Sequence, residues 1–124
     1  MRAVPLVQVA GVIARPLAVS SLTLPRRISV TRLRIRGLRI AMRLPASTGV
    51  VRFAVYRAKN TERTGRALAI GYRVPARSGV YRLVLRDRVL LHKLKAGSYV
   101  LQVRPGRSRS DLGATASVTF TVTR

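Results

Sequence analysis

The 124-residue chain has no cysteine and no tryptophan, one histidine (His92), and only three acidic side chains, Glu62, Asp87 and Asp111. Each shortage removes a class of explanation. Without cysteine there is no disulfide framework, thiol nucleophile or cysteine-based zinc site. Hydrolytic chemistry needs converging carboxylates, a nucleophile with its base, or a metal held by several ligands. The three acids fall in three different expected turns or connectors. His92 and Asp87 form at most a local pair on one helical turn, which reads as a surface histidine. The chain is therefore expected to be non-catalytic, with no cofactor and no metal.

Long apolar runs are also missing. The opening stretch MRAVPLVQVAGVIARPLA is apolar up to Ala14 but broken by Pro5 and Gln8, too short to span a bilayer. It has no clean small-x-small cleavage site, and Arg15-Pro16 follows directly, so it reads as a strand or linker rather than a signal peptide. Residues 1–17 are expected to be an extension and residues 18–124 the domain.

What is abundant is positive charge. Lysine and arginine number 25 against the three acids, a net charge of +22, and all but three of these cations are arginine. A GC-rich genome would account for the arginine-to-lysine ratio. The total is another matter, because such a charge repels itself and calls for a polyanion or an acidic neighbour. Guanidinium groups hold phosphate, sulfate and carboxylate bidentately. Apolar residues make up 48% of the chain, which excludes a basic disordered tail.

From residue 38 onward the apolar period is two, the signature of half-buried strands. Leu38, Ile40, Met42 and Leu44 face one way, as do Val51, Phe53 and Val55. Leu68, Ile70, Tyr72 and Val74 follow, then Tyr81, Leu83 and Leu85, then Tyr99, Leu101 and Val103. Ala116, Val118, Phe120 and Val122 close the series, with threonine and serine on the other face. The breaks at 45–49, 59–65, 75–79, 96–97 and 105–113 carry turn chemistry. With Val19–Leu24, this makes seven short strands, so the expected fold is an all-β, two-sheet sandwich of immunoglobulin or fibronectin III type. One short helical turn is expected over Asp87–Leu94, with Asp87 as N-cap.

In TRLRIRGLRI (31–40) the apolar phase shifts at Gly37. A one-residue shift turns side chains to the opposite face, so a turn or coil is expected there, with a strand starting at Leu38. RPGRSRSDLGA (104–114) could cradle a phosphate with its glycines and arginines, but it matches no P-loop. It reads as a hairpin loop in which Asp111 neutralises a neighbouring arginine.

The run Leu94-Lys95-Ala96-Gly97-Ser98-Tyr99-Val100-Leu101-Gln102-Val103 resembles the L-x-x-G-x-Y-x-L-x-V segment of fibronectin III and immunoglobulin-like sandwiches. By that resemblance Tyr99 forms a tyrosine corner, its hydroxyl bonding backbone a few residues upstream, with Leu94 beneath it and Gly97 in the turn. The segments RGLRIAMRLP (36–45), VVRFAVYRA (50–58), GVYRLVLRD (79–87) and FTVTR (120–124) extend the likeness to arginine-rich modules at the C-termini of secreted or surface proteins of actinobacteria. The resemblance implies a non-catalytic accessory or adhesion-type module, secreted or at the cell surface. Its partners would be acidic polysaccharide, teichoic acid or an acidic neighbouring domain.

The arginines expected to stand outward and contact a polyanion are Arg39, Arg43, Arg52, Arg82, Arg86, Arg107 and Arg109. The alternative is a cytoplasmic nucleic-acid backbone binder of ribosomal or nucleoid type. Aromatic stacking on bases is not expected, because Phe53, Tyr72, Tyr81, Tyr99 and Phe120 all fall on expected core faces.

Overall fold

The computed structural model describes residues 17–60 and 62–124. The described chain is mostly strand: β1 (Ser21–Thr23), β2 (Arg27–Ser29), β3 (Leu38–Leu44), β4 (Val50–Lys59), β5 (Glu62–Arg73), β6 (Gly79–Leu85), β7 (Gly97–Ser108), β8 (Asp111–Leu112) and β9 (Ala116–Thr123). Two short helices, α1 (Val30–Arg36) and α2 (Arg88–Lys93), interrupt it. The strands form two sheets. The small one has the order β1-β3-β6; the large one has the order β2-β9-β7-β4-β5, with β8 against β7. All pairings are antiparallel except β2 with β9, which run parallel.

Alternation sets which face of each strand is inside. Leu38, Ile40 and Met42 pair with Leu85, Leu83 and Tyr81 on the inner face of the small sheet. Val51, Phe53, Val55, Leu101, Val103, Phe120 and Val122 line the inner face of the large one, and the two sets form one buried cluster with Tyr81 partly buried against it. No polar or charged side chain is buried among the described residues.

Nine strands are present among the described residues, against seven expected. The added ones, β2 and β8, have three and two residues, too few for a period of two to register. The expected break at 105–113 is largely strand, since β7 runs on through Pro105 to Ser108 and turns back into β8. The break at 59–65 is tighter than expected, with Lys59 already paired to Glu62. Leu17, expected in the extension, is buried, and its carbonyl accepts a 2.7 Å bond from the Ala114 amide. The rest of that extension lies outside the described residues.

The coil expected before Leu38 is a helix. Ser29 caps α1 by accepting from the Arg32 amide at 3.1 Å, and Gly37 ends it by donating to the Leu33 carbonyl at 2.8 Å. Arg34 and Arg36 sit in its last turn, where the helix dipole favours cations. Leu33 is fully buried while Ile35 is 73% exposed. The two share a face on a strand but not on a helix. The second helix falls where expected, with the Val89 amide donating to Asp87 Oδ1 at 2.9 Å and Leu90 and Leu91 buried.

The other correction concerns β5. Ile70 and Val74, expected to point inward, are 54% and 80% exposed. Gly71 pairs with Phe53 on the inner face, and a Cβ there would run into the Phe53 ring. The small residues Ala69 and Gly71 therefore take the inner row, and Ile70 and Tyr72 take the outer one.

Gly37 holds the junction between α1 and β3 at φ 74° and ψ 178°, a region essentially reserved for glycine. A Cβ there would meet the Leu85 carbonyl and Arg86 Cγ, both at 2.7 Å. Gly37→Ala should therefore cost about 1–3 kcal/mol or more of stability, measured as a lower midpoint in chemical denaturation with an unchanged m-value.

Candidate anion-binding face

The outer face of the small sheet is built by the rows that alternate with its core. Arg39 lies opposite Val84, Ala41 opposite Arg82, and Arg43 opposite Val80. On the other side of β3, Ser21 faces Arg43 and Thr23 faces Ala41. Arg82 is thus the diagonal neighbour of both Arg39 and Arg43, at roughly 7–8 Å between backbones. All three arginines are exposed, and none of these cross-strand rows holds an acid. Ala41 is short, and between it and its taller neighbours lies a groove of about 470 Å³, lined by Thr23, Leu24, Pro25, Arg39, Arg82 and Val84 among others. Guanidinium groups thus stand around an apolar floor.

The other expected contacts are not gathered there. Arg52 lies on the outer face of the large sheet, opposite Tyr72 on β5 and Arg104 on β7. Arg109 reaches the same corner, its guanidinium 4.5 Å from the centre of the Tyr72 ring. Arg107 is 3.7 Å from Asp111 and is spent on that exposed pair, worth little in water. Arg86 stands exposed just beyond β6, beside Gly37.

Two members of the second cluster escaped the reading by period. Arg104 lies in the expected turn, which is strand; its Nε donates to the Gly113 carbonyl at 3.0 Å. That bond anchors one of two like charges placed directly across from each other, a placement that repels. The period of Leu68 and Ile70 puts Tyr72 in the core, whereas it lies opposite the outward Arg52. The signal for the opposite phase is present in RALAIGYR, where Ala67, Ala69 and Gly71 form an equally regular row of small residues.

The scarce titratable groups stay apart in their roles. Asp87 caps α2, Asp111 faces Arg107, and Glu62 opens β5. His92 shares a pocket of about 240 Å³ with Arg34, Arg88 and Leu91. Among the described residues, no three histidine or carboxylate side chains gather as a metal site would need. No described helix is long and apolar enough to cross a membrane.

Tyr99 is held inside the large sheet. Its hydroxyl donates to the Lys95 carbonyl at 2.7 Å, four residues upstream. Its ring stacks on Phe120 with centroids 5.6 Å apart. Leu94 is buried in the same cluster, and Gly97, at the start of β7, pairs with Val122. Burial pushes the Tyr99 phenol up, against the opposing pull of the Arg57 charge.

No protein-family model matches the chain, and no curated protein matches it.

Tyr99→Phe removes the donor of a part-buried hydrogen bond to the Lys95 carbonyl and should cost about 1 kcal/mol, read from denaturant unfolding; an unchanged midpoint would show the bond to be idle. The raised phenol also has a pH signature. Its stabilising effect is full below the unfolded phenol value near ~10. Above it the unfolded phenol ionises first, and stability falls as pH rises toward the higher folded value. Stability measured from pH ~9 to ~11 should decline in the native protein and decline less in Tyr99→Phe.

Proposed function

We propose that the chain is a non-catalytic binding module: a β-sandwich of immunoglobulin or fibronectin III type, serving as an accessory or adhesion-type part of a secreted or cell-surface bacterial protein. Its basic surface contacts acidic polymers such as wall polysaccharide or teichoic phosphate, or an acidic neighbouring domain. The fold part of this reading is supported by the sheet orders β1-β3-β6 and β2-β9-β7-β4-β5 and by the Tyr99 hydroxyl bonded to backbone four residues upstream.

The observation that carries the binding part is the placement of Arg39, Arg43 and Arg82 on one exposed sheet face whose rows contain no acid. Residues on one face of a strand recur every ~6.6–6.8 Å and strands lie ~4.8 Å apart. Guanidinium groups on such a grid sense charge density along a polymer rather than the outline of a small molecule. Each can still hold an anion bidentately.

A second reading, nucleic-acid backbone binding, is favoured by the other cluster, where Arg52, Arg104 and Arg109 surround an outward Tyr72. Arg109 already lies over that ring, so base stacking there requires displacing a cation–π contact worth about 0.5–1 kcal/mol. Backbone contact requires no such displacement.

Titrating heparin, polyphosphate, teichoic acid and duplex DNA across a salt series separates the readings. Broad binding is expected. If about six phosphates of DNA are neutralised, log K should fall with log salt at a slope near about −5. Replacing Arg39, Arg43 and Arg82 together by serine should weaken binding to all polyanions more than replacing Arg52, Arg104 and Arg109. Tight binding to one DNA sequence that survives high salt would establish the nucleic-acid reading instead. Absence of binding to every polyanion would reduce the module to a structural spacer.

A further inference from the structure

The two sheets leave four edge strands, and three of them are poor templates for further pairing. β1 and β2 have three residues each. β5 carries a register shift against β4 at Val55/Arg57, a left-handed glycine (Gly65, φ 68°), and Arg63, Arg66 and Arg73 along its length. Short length, bulges and charge are the usual means of closing an edge to other chains. β6 uses fewer of them: it opens with a left-handed glycine, Gly79 (φ 94°), and is otherwise regular. Its seven residues, GVYRLVL, pair with β3 without a register shift. It contains no proline or lysine, and its single charge, Arg82, points outward. Among the described residues β3 is its only strand partner. Its outward row is Val80, Arg82, Val84, with the valines 59% and 36% exposed.

We propose that β6 is a docking edge for an extended acidic segment of a partner protein, which adds a fourth strand to the small sheet. Backbone bonds to the free edge supply affinity, and the alternating side chains supply selectivity. Directly opposed residues across an antiparallel pair are in contact. The row of the added strand facing Val80, Arg82 and Val84 must therefore read apolar, acidic, apolar, with the acid on Arg82 and within the field of Arg39 and Arg43. The intervening residues face the rim of the core beside Tyr81 and Leu83, which selects small β-branched side chains. A second copy of this chain is the wrong occupant. Each copy carries +22, and antiparallel pairing of two β6 strands would set Arg82 near its counterpart. This surface uses backbone donors and a spaced pattern, so it makes demands that the acidic polymers proposed above do not meet.

The test uses the full chain and a capped peptide, Thr-Val-Thr-Glu-Thr-Val-Thr, whose palindromic order presents the same pattern in either strand direction. Three controls accompany it: a scrambled peptide of the same composition, the same peptide N-methylated at its three central residues, and its glutamate-to-lysine form. On adding the first peptide, amide signals of residues 79–85 should shift and exchange more slowly with solvent, while those of β5 stay unchanged. The scrambled and N-methylated peptides should leave residues 79–85 unaffected. Arg82→Glu, an exposed substitution on a strand face, should weaken binding about tenfold, and the lysine peptide should recover the loss. Equal binding of the scrambled or N-methylated peptide would overturn the inference while leaving the polyanion reading intact. An Arg82→Glu variant that binds the glutamate peptide unchanged would overturn it too. So would a dimer in solution with residues 79–85 already protected without peptide. Failure of every polyanion in the salt series, with the peptide still protecting β6, would remove the polymer reading alone.

Discussion

Nearly all of the charge in this protein has one sign, and the chain has too few acids to neutralise it internally. The one ion pair between described residues, Arg107 with Asp111, joins two half-exposed side chains. An unpaired guanidinium inside a core would carry a prohibitive desolvation cost, and no described arginine is buried. In a protein of strands that cost acts through the pleat. In the regular strands of the small sheet, an outward arginine is flanked in sequence by inward apolar residues. The Arg39, Arg43 and Arg82 positions obey this, and the core of Ile40, Met42 and Leu83 is its complement.

Several arginines also cover apolar surface. Arg63 lies 4.7 Å above the ring of Tyr56, Arg109 4.5 Å above Tyr72, and Arg73 5.0 Å above Phe53. A long side chain can cover a ring while its charged head stays wet. The large sheet uses its cations this way; the small sheet leaves Arg39 and Arg82 uncommitted at its groove, with Arg43 exposed on the same face. This difference between the faces, rather than the total charge, is why the small sheet is the stronger candidate for binding.

The inner rows of β3, β4, β6, β7 and β9 were legible in the sequence because alternation over five or more residues reports the pleat directly. So was α2, through Asp87 and the helical spacing of Val89, Leu90 and Leu94, although Val89 is 63% exposed and Leu91 is buried in its stead. The failures have a common physical origin, since a period is ambiguous when two registers offer comparable apolar rows. In β5 Leu68 packs against the core as its period implies, but beyond it the bulky Ile70 and Tyr72 outweigh Ala69 and Gly71 by hydrophobicity. The ring of Phe53, a residue contributed by another strand, needs the space above Gly71. In α1, Leu33 and Ile35 imitate a strand, and only the Ser29 cap and Gly37 mark the turn of helix between them. The arginine positions could be read one by one, but their grouping into two clusters depends on which strands become neighbours, and that is a long-range property. The placement of β6 at an open edge is of the same kind.

The pairing of β2 with β9 has a mechanical side. These strands run parallel, Arg27 to Ser29 beside Thr121 to Thr123, and the Thr121 amide also donates to the Arg26 carbonyl at 2.7 Å. Tension drawn between Leu17 and Arg124 would pull the two strands past each other along their length. The bonds of the ladder would then share the load at once, in shear, instead of opening one after another like a zip. The domain would resist stretching more stiffly than its short β2 suggests, up to the force at which that patch yields as a unit.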